Sequence, residues 1–370
     1  MEKMRLGDLL LYEQPTKYLV ESDMYDDSYE VPVLTAGKSF LLGYTDEKEN
    51  IFENVPVIIF DDFTTSTQFV DFPFKVKSSA MKILNCNNEK ADIRYMFYLL
   101  QTIKIDSERH KRYWISQFAK MDILLPSLSV QQAIAAQLDQ ARELVQYHHQ
   151  LLEKYDELQQ SLFLEMFGDP VLNEKGWEKK KGNDIFEVFG GGTFKSKDYS
   201  ESGIPLIRIG TVNKGFFDES ELVFLPNDFL KSHSRFLLKS GDLLMTLTGT
   251  VGKDDYGNTY ILDNKYEHYF LNQRVAKIEV NPEYLNKLFL TYVFRQPRIK
   301  GELTNINRGV RQANISNRDL HSLNIILPPL SLQNEFASYI ESIEYQKSLV
   351  REALQQSEDV FNGLLQESFG

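Results

Sequence analysis

The stretch that decides the fold is "ILLPSLSVQQ", residues 123–132, because almost the same phrase returns as "IILPPLSLQN" at residues 325–334. The two phrases are 202 residues apart, and this offset holds without a gap through Gly370. An internal repeat at one fixed offset indicates a duplicated structural unit. We therefore predict that the chain contains two copies of one module.

After each phrase, the sequence has the pattern of a long helix. Apolar residues recur in steps of three, four and seven, which follow the seam of a heptad repeat. This spacing predicts two helices of about 37 residues, or about 55 Å each. Ser129 and Ser331 are the candidate N-caps, and Gly168 is the predicted stop. Each helix is the nearest suitable partner for the other; two unrelated surface helices are the alternative.

A globular region precedes each helix and mixes strand-like with helix-like runs. In the first half, strand-like runs (55–60 and 72–84) are followed by a helical pattern (91–103). The second half repeats this order, with strand-like runs at 241–252 and 269–280 and a helical pattern at 282–294 that has Pro282 at its first position. The predicted fold class is therefore α+β, with two mixed globular domains, two long helices and an internal repeat at an offset of 202 residues.

Composition excludes several classes of protein. The net charge is −12, but residues 171–322 carry +3, while the predicted helical segments 121–170 and 323–370 carry −6 and −5. The single cysteine, Cys86, allows neither an internal disulfide nor a multi-cysteine metal site. No apolar run approaches the ~18 residues of a membrane span, and the N-terminus is a poor signal peptide. We expect a cytoplasmic protein with an inert thiol.

Two motifs resemble methyltransferase signatures and fail on inspection. "EVFGGGT" (187–193) has Thr193 where a cofactor-binding turn needs its last glycine. "NPEY" (281–284) carries Glu283 in place of a proline, and a buried carboxylate there would be costly. The adjacent His148 and His149 point in different directions, so they cannot chelate a metal as an i, i+4 pair does. We expect no catalytic residues, no metal and no cofactor bound by this chain.

Polar and basic loops in both halves have the side chains that read DNA. Arginine suits the two acceptors of guanine, and asparagine and glutamine suit adenine. The candidate DNA-binding residues of the second half are Thr248, Thr250, Lys253, Arg308, Arg311, Gln312 and Asn314. Those of the first half are Thr64, Thr65, Gln68, Lys75, Lys77, Ser78, Arg109, Lys111 and Arg112. Each loop alone is typical of a solvated surface; their occurrence in two equivalent modules favours a DNA contact.

Over almost its whole length, the chain resembles the specificity subunits of type I restriction–modification systems. The resemblance lies in two unlike domains followed by two similar helices, each entered through "LP-x-L-S-x-Q". It is clearest in the second half, at "GGGTFKSKDYSESGIPLIRIGTV" (190–212), "SGDLLMTLTGTVGK" (240–253), "FLNQRVAKI" (270–278) and "GVRQANIS" (309–316). In the first half, "VPVLTAGKSF" (31–40) is the counterpart of the segment that begins at Ile204.

The resemblance implies an organisation and a role. It implies target-recognition domains at residues 1–125 and 169–327, and antiparallel spacer helices at 126–168 and 328–370. Each domain would read one half of a split, asymmetric sequence in double-stranded DNA. The chain would have no catalytic activity of its own. Two modification subunits, which carry S-adenosylmethionine, would dock on it, and restriction motor–nuclease subunits would then join.

Two other interpretations remain open from the sequence. One is a coiled-coil scaffold with two protein-binding domains. Its discriminator is salt, since sequence-specific DNA binding weakens steeply as the salt concentration rises. The other is the specificity subunit of a related phage-defence system.

Overall fold

The computed structural model of the chain describes residues 2–36, 39–87, 89–105, 112–213, 217–250, 255–304 and 312–370. Contacts between Cα atoms divide the chain into two compact units, Met1–Leu151 with Val350–Gly370, and Leu152–Leu349. Each unit therefore contains parts of both long helices. The predicted boundaries, which separate each recognition domain from the helix after it, stay a prediction about sequence modules.

Both halves mix strands and helices. In the first half, they are β1 (Glu2–Arg5), α1 (Leu6–Leu9), β2 (Leu10–Glu13), β3 (Val31–Leu34), β4 (Leu41–Thr45), β5 (Val57–Asp61), β6 (Thr67–Val70), β7 (Lys75–Val76), β8 (Met81–Cys86), α2 (Ile93–Thr102), α3 (Tyr113–Ser116), β9 (Asp122–Leu125) and α4 (Leu128–Phe167). In the second half, they are β10 (Glu178–Lys181), α5 (Gly182–Ile185), β11 (Phe186–Gly190), β12 (Ile204–Ile207), α6 (Ile209–Val212), β13 (Phe224–Leu225), α7 (Phe229–Ser232), β14 (Leu237–Leu238), β15 (Leu243–Thr246), β16 (Thr248–Thr250), β17 (Thr259–Ile261), β18 (Tyr269–Leu271), β19 (Val275–Val280), α8 (Lys287–Arg295), α9 (Pro297–Thr304), β20 (Gln312–Asn314), α10 (Asn317–Ser322), β21 (Asn324–Leu327) and α11 (Leu330–Phe369). This mixture confirms the predicted fold class.

The long helices α4 and α11 are the most regular part of the repeat. Each has 40 residues, and both ends of α11 follow those of α4 by 202 residues. The predicted N-caps were wrong, because Ser129 and Ser331 lie inside the first turn. The carbonyls that accept the first helical hydrogen bonds belong to Ser127 and Pro329. The predicted stop is confirmed at Gly168, whose φ of +73° is the left-handed conformation typical of a helix C′ residue.

Within each unit, the segments of α4 and α11 run antiparallel. In the unit Leu152–Leu349, Asp156 contacts Lys347, Gln159 contacts Glu344, and Phe163 contacts Phe336. In the other unit, His148 contacts Ser357 of α11, with 3.1 Å between Nδ1 and Oγ. There, Phe369 packs 5.1 Å from Tyr95 in the first turn of α2, which is the end of α2 that the start of α4 also contacts. Helix pairing between the two copies is thus confirmed in both units.

The glutamine of the repeated phrase anchors the long helix to the globular region. Gln131 is fully buried in the first turn of α4. Its Oε1 accepts a hydrogen bond from the backbone N–H of Asp92, the N-cap of α2, at 2.9 Å. Its Nε2 donates to the carbonyls of Pro126 and Lys90 at 2.9 and 3.1 Å. One side chain therefore joins the phrase, α4 and the start of α2.

The second copy makes the same contact. Gln333, also fully buried, accepts from the N–H of Asn286, the N-cap of α8, at 2.9 Å. Its Nε2 donates to the carbonyls of Pro328 and Tyr284 at 2.9 and 3.0 Å. A buried amide that satisfies three backbone groups is expensive to replace, because any substitution leaves those groups without partners. This contact gives the repetition of the phrase a physical reason.

The main sheets of the two halves have the same topology. The strand order is β2-β8-β5-β6 in the first half and β11-β19-β15-β17 in the second, with every pair antiparallel. The strand of the repeated phrase pairs with the first strand of its half, as β1-β9 and β10-β21. A second sheet accompanies each, β4-β3-β7 in the first half and β13-β12-β18-β14 in the second, and the second half adds the β16-β20 ribbon. The halves thus share a frame and differ at its edges.

Apolar residues of the main sheets and helices form the core of each half. In the first half, α2, α3 and the sheet enclose Trp114, Phe60 and Phe118. In the second half, α8 packs against the end of α4, where Phe163 and Phe167 meet Phe289. These aromatic clusters fix α2 and α8 on the sheet, and so fix the frame that holds the loops at its end.

Cys86 lies at the end of β8, where its thiol contacts the carbonyl of Ala91 at 3.2 Å. Burial raises the pKa of the Cys86 thiol to about 12. A thiol with so high a pKa carries almost no thiolate near neutral pH, and the thiolate is the reactive form. This supports the expectation that Cys86 is inert.

The two methyltransferase-like motifs have structural roles. The glycine run follows β11, and a Cβ at Gly191 would lie 2.2 Å from the carbonyl oxygen of Asn272, so only glycine fits there. The tetrapeptide 281–284 forms a turn in which the Asn281 side chain accepts from the N–H of Glu283 at 3.0 Å. The predicted helix start at Pro282 was wrong, because the helix begins at Lys287 after this turn.

Candidate nucleic-acid interface

In the first half, a tight turn joins β5 to β6 and carries part of the predicted "TTSTQ" loop. Asp61 holds this turn, since its Oδ1 accepts from the N–H of Phe63 at 2.8 Å and its Oδ2 accepts from the Thr64 hydroxyl at 2.7 Å. Thr65 adopts φ of +62°, a conformation that non-glycine residues rarely adopt. Its N–H donates to the Asp61 carbonyl, and Ser66 accepts from the Asp61 N–H. The turn is therefore rigid although its side chains face solvent.

The next residue, Asp62, brings a second predicted segment to this turn. It is buried and paired with Lys82, with 3.6 Å between Oδ2 and Nζ. Its Oδ1 accepts from the backbone N–H of Trp114 at 2.8 Å, and its carbonyl accepts from that of Tyr113 at 3.3 Å. Arg112, which is exposed, directly precedes these residues. We call residues 61–67 together with 112–114 the first corner.

The second half has a longer connection at the same place. Twelve residues separate β15 from β17, against five between β5 and β6. Part of this connection, β16, pairs antiparallel with β20, which places Thr248 opposite Asn314 and Thr250 opposite Gln312. Thr250 and Asn314 are exposed. We call residues 246–250 and 255–259 together with 312–315 the second corner.

A hydrogen-bond network around Asn258 supports the second corner. The Asn258 carboxamide donates to the carbonyl of Asn213 at 2.9 Å and accepts from Nζ of Lys300 at 2.6 Å. Its backbone N–H donates to the hydroxyl of the buried Thr246 at 3.1 Å. Three separate segments of the chain are thus joined at Asn258.

The two corners are structurally equivalent. The matching strand registers align Asp61 with Thr246, the last residues of β5 and β15. One residue further, the carbonyl of Leu247 accepts a hydrogen bond from the N–H of Ile315 at 2.8 Å. In the first half, the carbonyl of Asp62 accepts from the N–H of Tyr113 in the same way. Tyr113 and Ile315 are themselves 202 residues apart, the offset of the repeat. The same backbone contact therefore joins the same two segments in both halves.

The structure brings some of the predicted residues together and separates others. Thr64, Thr65 and Arg112 meet at the first corner, and Thr248, Thr250 and Asn314 meet at the second. Gln68 lies in β6, opposite Ile59. Of Gln312, only the backbone pairing with Thr250 is described. Lys253, Arg308, Arg311, Arg109 and Lys111 lie outside the described residues.

The segment 75–78 is placed away from these contacts. Lys75 is only 2% exposed, and its ammonium pairs with Glu47 at 2.8 Å and with the carbonyl of Glu49 at 2.7 Å. Lys77 forms a salt bridge with Asp23. The Ser78 hydroxyl accepts from the N–H of Ala80 at 3.1 Å. Burial and pairing favour a structural role for Lys75, because freeing its ammonium for a phosphate would break both contacts.

Sequence reasoning missed two residues of the corners. Phe63 is 52% exposed at the first corner, and it went unnoticed because the polar residues around it carried the loop prediction. Asn258 lies outside the phrases quoted from the second half, and its three contacts come from distant segments. The "DDFTTST" stretch holds a signal for the first, since an aspartate that starts a turn often fixes the residues after it.

Among the described residues, no three histidine, cysteine, aspartate or glutamate side chains are placed to hold a metal ion. In that same part of the chain, none of the helices has the length and apolar character needed to cross a membrane.

Comparison with known proteins identifies the frame. The sequence pattern of the family described as "Type I restriction modification DNA specificity domain" matches residues 1–155 and 174–357. The specificity subunit of the type I restriction enzyme EcoR124I/EcoR124II of Escherichia coli is 37% identical over 257 residues, which cover 64% of this chain and 62% of that protein. The specificity subunit of the type I restriction enzyme MjaVIII of Methanocaldococcus jannaschii is 25% identical over 383 residues, covering 96% and 89%.

Solved structures agree at the level of the fold. The S subunit of a type I restriction–modification system from M. genitalium superposes with a TM-score of 0.62 at 15% identity, over 100% of this chain and 96% of that one. A chain from a structure describing complex assembly and conformational transition of the type I R-M system gives 0.54 at 17% identity, over 100% and 97%. The chain therefore belongs to the family of type I restriction–modification specificity subunits, whose members are not themselves enzymes.

Proposed function

We propose that the chain reads a bipartite, asymmetric sequence in double-stranded DNA, with one corner contacting each half-site. One observation carries the proposal: Thr64, Thr65 and Arg112 lie at one corner, and Thr248, Thr250 and Asn314 lie at the equivalent corner of a matching frame. The frames agree in strand order and register, while the exposed side chains of the corners differ. Phosphate contacts position a protein on DNA, and side chains on base edges specify the sequence. Two matching frames with unlike corners therefore suit a target with two different half-sites.

The corners carry different chemistry. Asn314 presents an amide, which can donate to and accept from the edge of adenine. The guanidinium of Arg112 suits either a phosphate or guanine. From their residue types alone, Arg308 and Arg311 remain proposed base contacts, and Lys253 remains a proposed phosphate contact. Lys75 is omitted from the proposed interface because its ammonium is buried and paired.

The proposal includes partners that supply the chemistry. Two modification subunits, which bind S-adenosylmethionine, dock on the chain and methylate the DNA that it selects. Restriction motor–nuclease subunits then join the complex. The complex acts in the cytoplasm, and the isolated chain transfers no methyl group. The inclusion of two copies of the modification subunit rests on the resemblance and is compatible with the duplicated frame.

Methyl transfer and DNA selection test the proposal together. The chain would be purified with and without a modification subunit and incubated with a random-sequence DNA pool and S-adenosylmethionine. We expect the complex to select one split sequence and methylate it, with binding that weakens steeply as salt rises. The chain alone should stay at background. Binding without sequence preference, or methyl transfer by the chain alone, would contradict the proposal.

Matched variants connect this experiment to the corners. Arg112→Ala combined with Asn314→Ala should weaken selection of both half-sites without preventing assembly with the modification subunit. Lys3→Ala is the control, because Lys3 is an exposed cation on β1 that pairs with Asp122. If assembly with another protein is strong while the chain selects no DNA sequence, the scaffold interpretation is favoured instead.

A further inference from the structure

Phe63 is an exposed aromatic side chain held on a rigid turn. It is 52% exposed, whereas Phe60, three residues earlier in β5, is fully buried. The Asp61 carboxylate fixes the backbone on which Phe63 stands. Ile115, 43% exposed, and Arg112 flank the segment that bonds to Asp62, the residue before Phe63. An exposed phenylalanine and an exposed isoleucine therefore lie on the two segments that this hydrogen bond joins, and one of these segments also carries Arg112.

The strand registers give Phe63 a counterpart in the second half. Asp62 and Leu247 receive the equivalent hydrogen bonds, so the next residues, Phe63 and Thr248, occupy the same position of the frame. Thr248 was already a candidate contact from the sequence, and it lies in β16 opposite Asn314. One position thus carries an aromatic ring in one half and a methyl-bearing hydroxyl in the other.

We infer that Phe63 and Thr248 are equivalent specificity-determining residues, and that Phe63 contacts the 5-methyl group of a thymine in the first half-site. The inference rests on the proposed DNA-reading function. In the major groove, the edges of the bases present hydrogen-bonding groups and one apolar group, the methyl of thymine. A phenylalanine ring forms no conventional hydrogen bond, so that methyl is the part of a base edge that it can distinguish.

The surroundings of Phe63 favour DNA over a protein partner. Its neighbours along the turn, Thr64 to Ser66, are polar. Protein interfaces place such aromatic residues in the middle of a much larger contact area. The Arg112 guanidinium forms no salt bridge with another described residue, and a phosphate is a ready partner for it.

Removing the methyl group from DNA tests this contact directly. The complex with modification subunits is first used to define the target. Each thymine of the first half-site is then replaced, one at a time, by deoxyuridine, which lacks only the methyl. For the wild-type complex, we expect one replacement to weaken binding about fourfold, the effect of burying one methyl group. The same replacement should leave the affinity of Phe63→Ser unchanged, whereas Phe63→Leu should keep part of the discrimination.

Phe72→Ala is the matched control, since Phe72 is an exposed phenylalanine of the same domain, 40% exposed, that lies outside the first corner. It should discriminate against deoxyuridine as the wild type does. The inference is overturned if the first half-site contains no thymine, if no replacement affects the wild type, or if Phe63→Ser discriminates equally. A wild-type complex without any sequence preference would instead defeat the proposed function itself.

Discussion

The two copies of the repeat share the glutamine anchors and differ at the corners. At the anchors, Gln131 and Gln333 make the same three hydrogen bonds to backbone groups. At the corners, five residues in one half correspond to twelve in the other, and Phe63 corresponds to Thr248. The contact that fixes a long helix to a globular region is therefore kept in both copies, while the connections at the corners differ.

The long helices contain a second comparison. Lys347 in α11 corresponds to Val145 in α4, and Gln159 in α4 corresponds to Phe361 in α11. In the unit Leu152–Leu349, the helix pair thus carries a lysine and a glutamine at positions that are valine and phenylalanine in the other unit. The Lys347 ammonium, with a side chain only 7% exposed, contacts Asp156 at 2.6 Å and Glu344 at 3.0 Å. A buried polar residue in a helix seam specifies register at a cost in stability.

The largest effect should follow removal of an anchor. Gln131→Ala leaves one backbone N–H and two carbonyls without their partner, and each such group costs about 1–3 kcal/mol where water cannot replace the lost bond. We expect a loss of roughly 3 kcal/mol or more in the free energy of unfolding. Gln333→Ala should cost a similar amount, because its partners are equivalent. Urea denaturation followed by circular dichroism measures both.

Cys86 shows which unit is affected. The thiol lies in the same unit as Gln131, and its pKa of about 12 keeps it unreactive in the folded state. Gln131→Ala should therefore increase the rate of Cys86 alkylation in dilute urea. Gln132→Ala, an exposed neighbour in α4, is the control and should change neither the stability nor the rate. Equal effects of Gln131→Ala and Gln132→Ala would remove the anchor role.

The contacts of Lys347 should give the next largest effect, and an asymmetric one. Asp156→Ala with Glu344→Ala leaves the Lys347 ammonium buried without a carboxylate. Breaking a buried pair in this way costs about 3–5 kcal/mol, but Asp156 is 66% exposed, so we expect about 2 kcal/mol. Lys347→Met should cost less than ~1 kcal/mol, because both carboxylates can then be hydrated. Urea denaturation of the two variants would contradict this account if their costs were equal.

The sequence predicted the frame better than the corners for a physical reason. The apolar periodicity runs through two helices of 40 residues each. The same phrase precedes both helices, so each copy supports the interpretation of the other. The helix starts were misplaced by a few residues, at Ser129 and Pro282, because the caps are set by turns whose hydrogen bonds are local. Residue types are sufficient to predict a helix where a single periodic pattern determines which side chains are buried.

Contact residues depend on distant parts of the chain. By residue type, Lys75 suits a DNA contact, yet Glu47, 28 residues earlier, pairs with it in the interior. The first corner was found only in part, because the hydrogen bond that joins Asp62 to Tyr113 spans 51 residues. No local pattern encodes these pairings, which follow from the strand order. The equivalence of Phe63 and Thr248 likewise required the registers of both sheets.

Asn314 should show the effect of a base contact without a charge. Its carboxamide forms no hydrogen bond with the other described residues, so it is available to a base edge. In the complex with modification subunits, we expect Asn314→Ala to cost roughly 1–2 kcal/mol and to relax selectivity at one position of the second half-site. The salt dependence of binding should not change. DNA selection at a fixed salt concentration checks the first expectation, and unchanged preference at every position would exclude Asn314 as a reader.

Arg112 should show the smallest effect and the opposite pattern. If its guanidinium contacts a phosphate, the Arg112→Ala variant releases one counterion fewer when it binds DNA. The magnitude of the slope of log affinity against log salt should then decrease by about one. The loss of affinity near physiological salt should be under ~1 kcal/mol and the same for all DNA sequences. Lys3→Ala removes the same charge elsewhere and should leave the slope unchanged. A loss of preference confined to one base pair, with the slope intact, would instead make Arg112 a base contact and place direct reading in the rigid first corner as well.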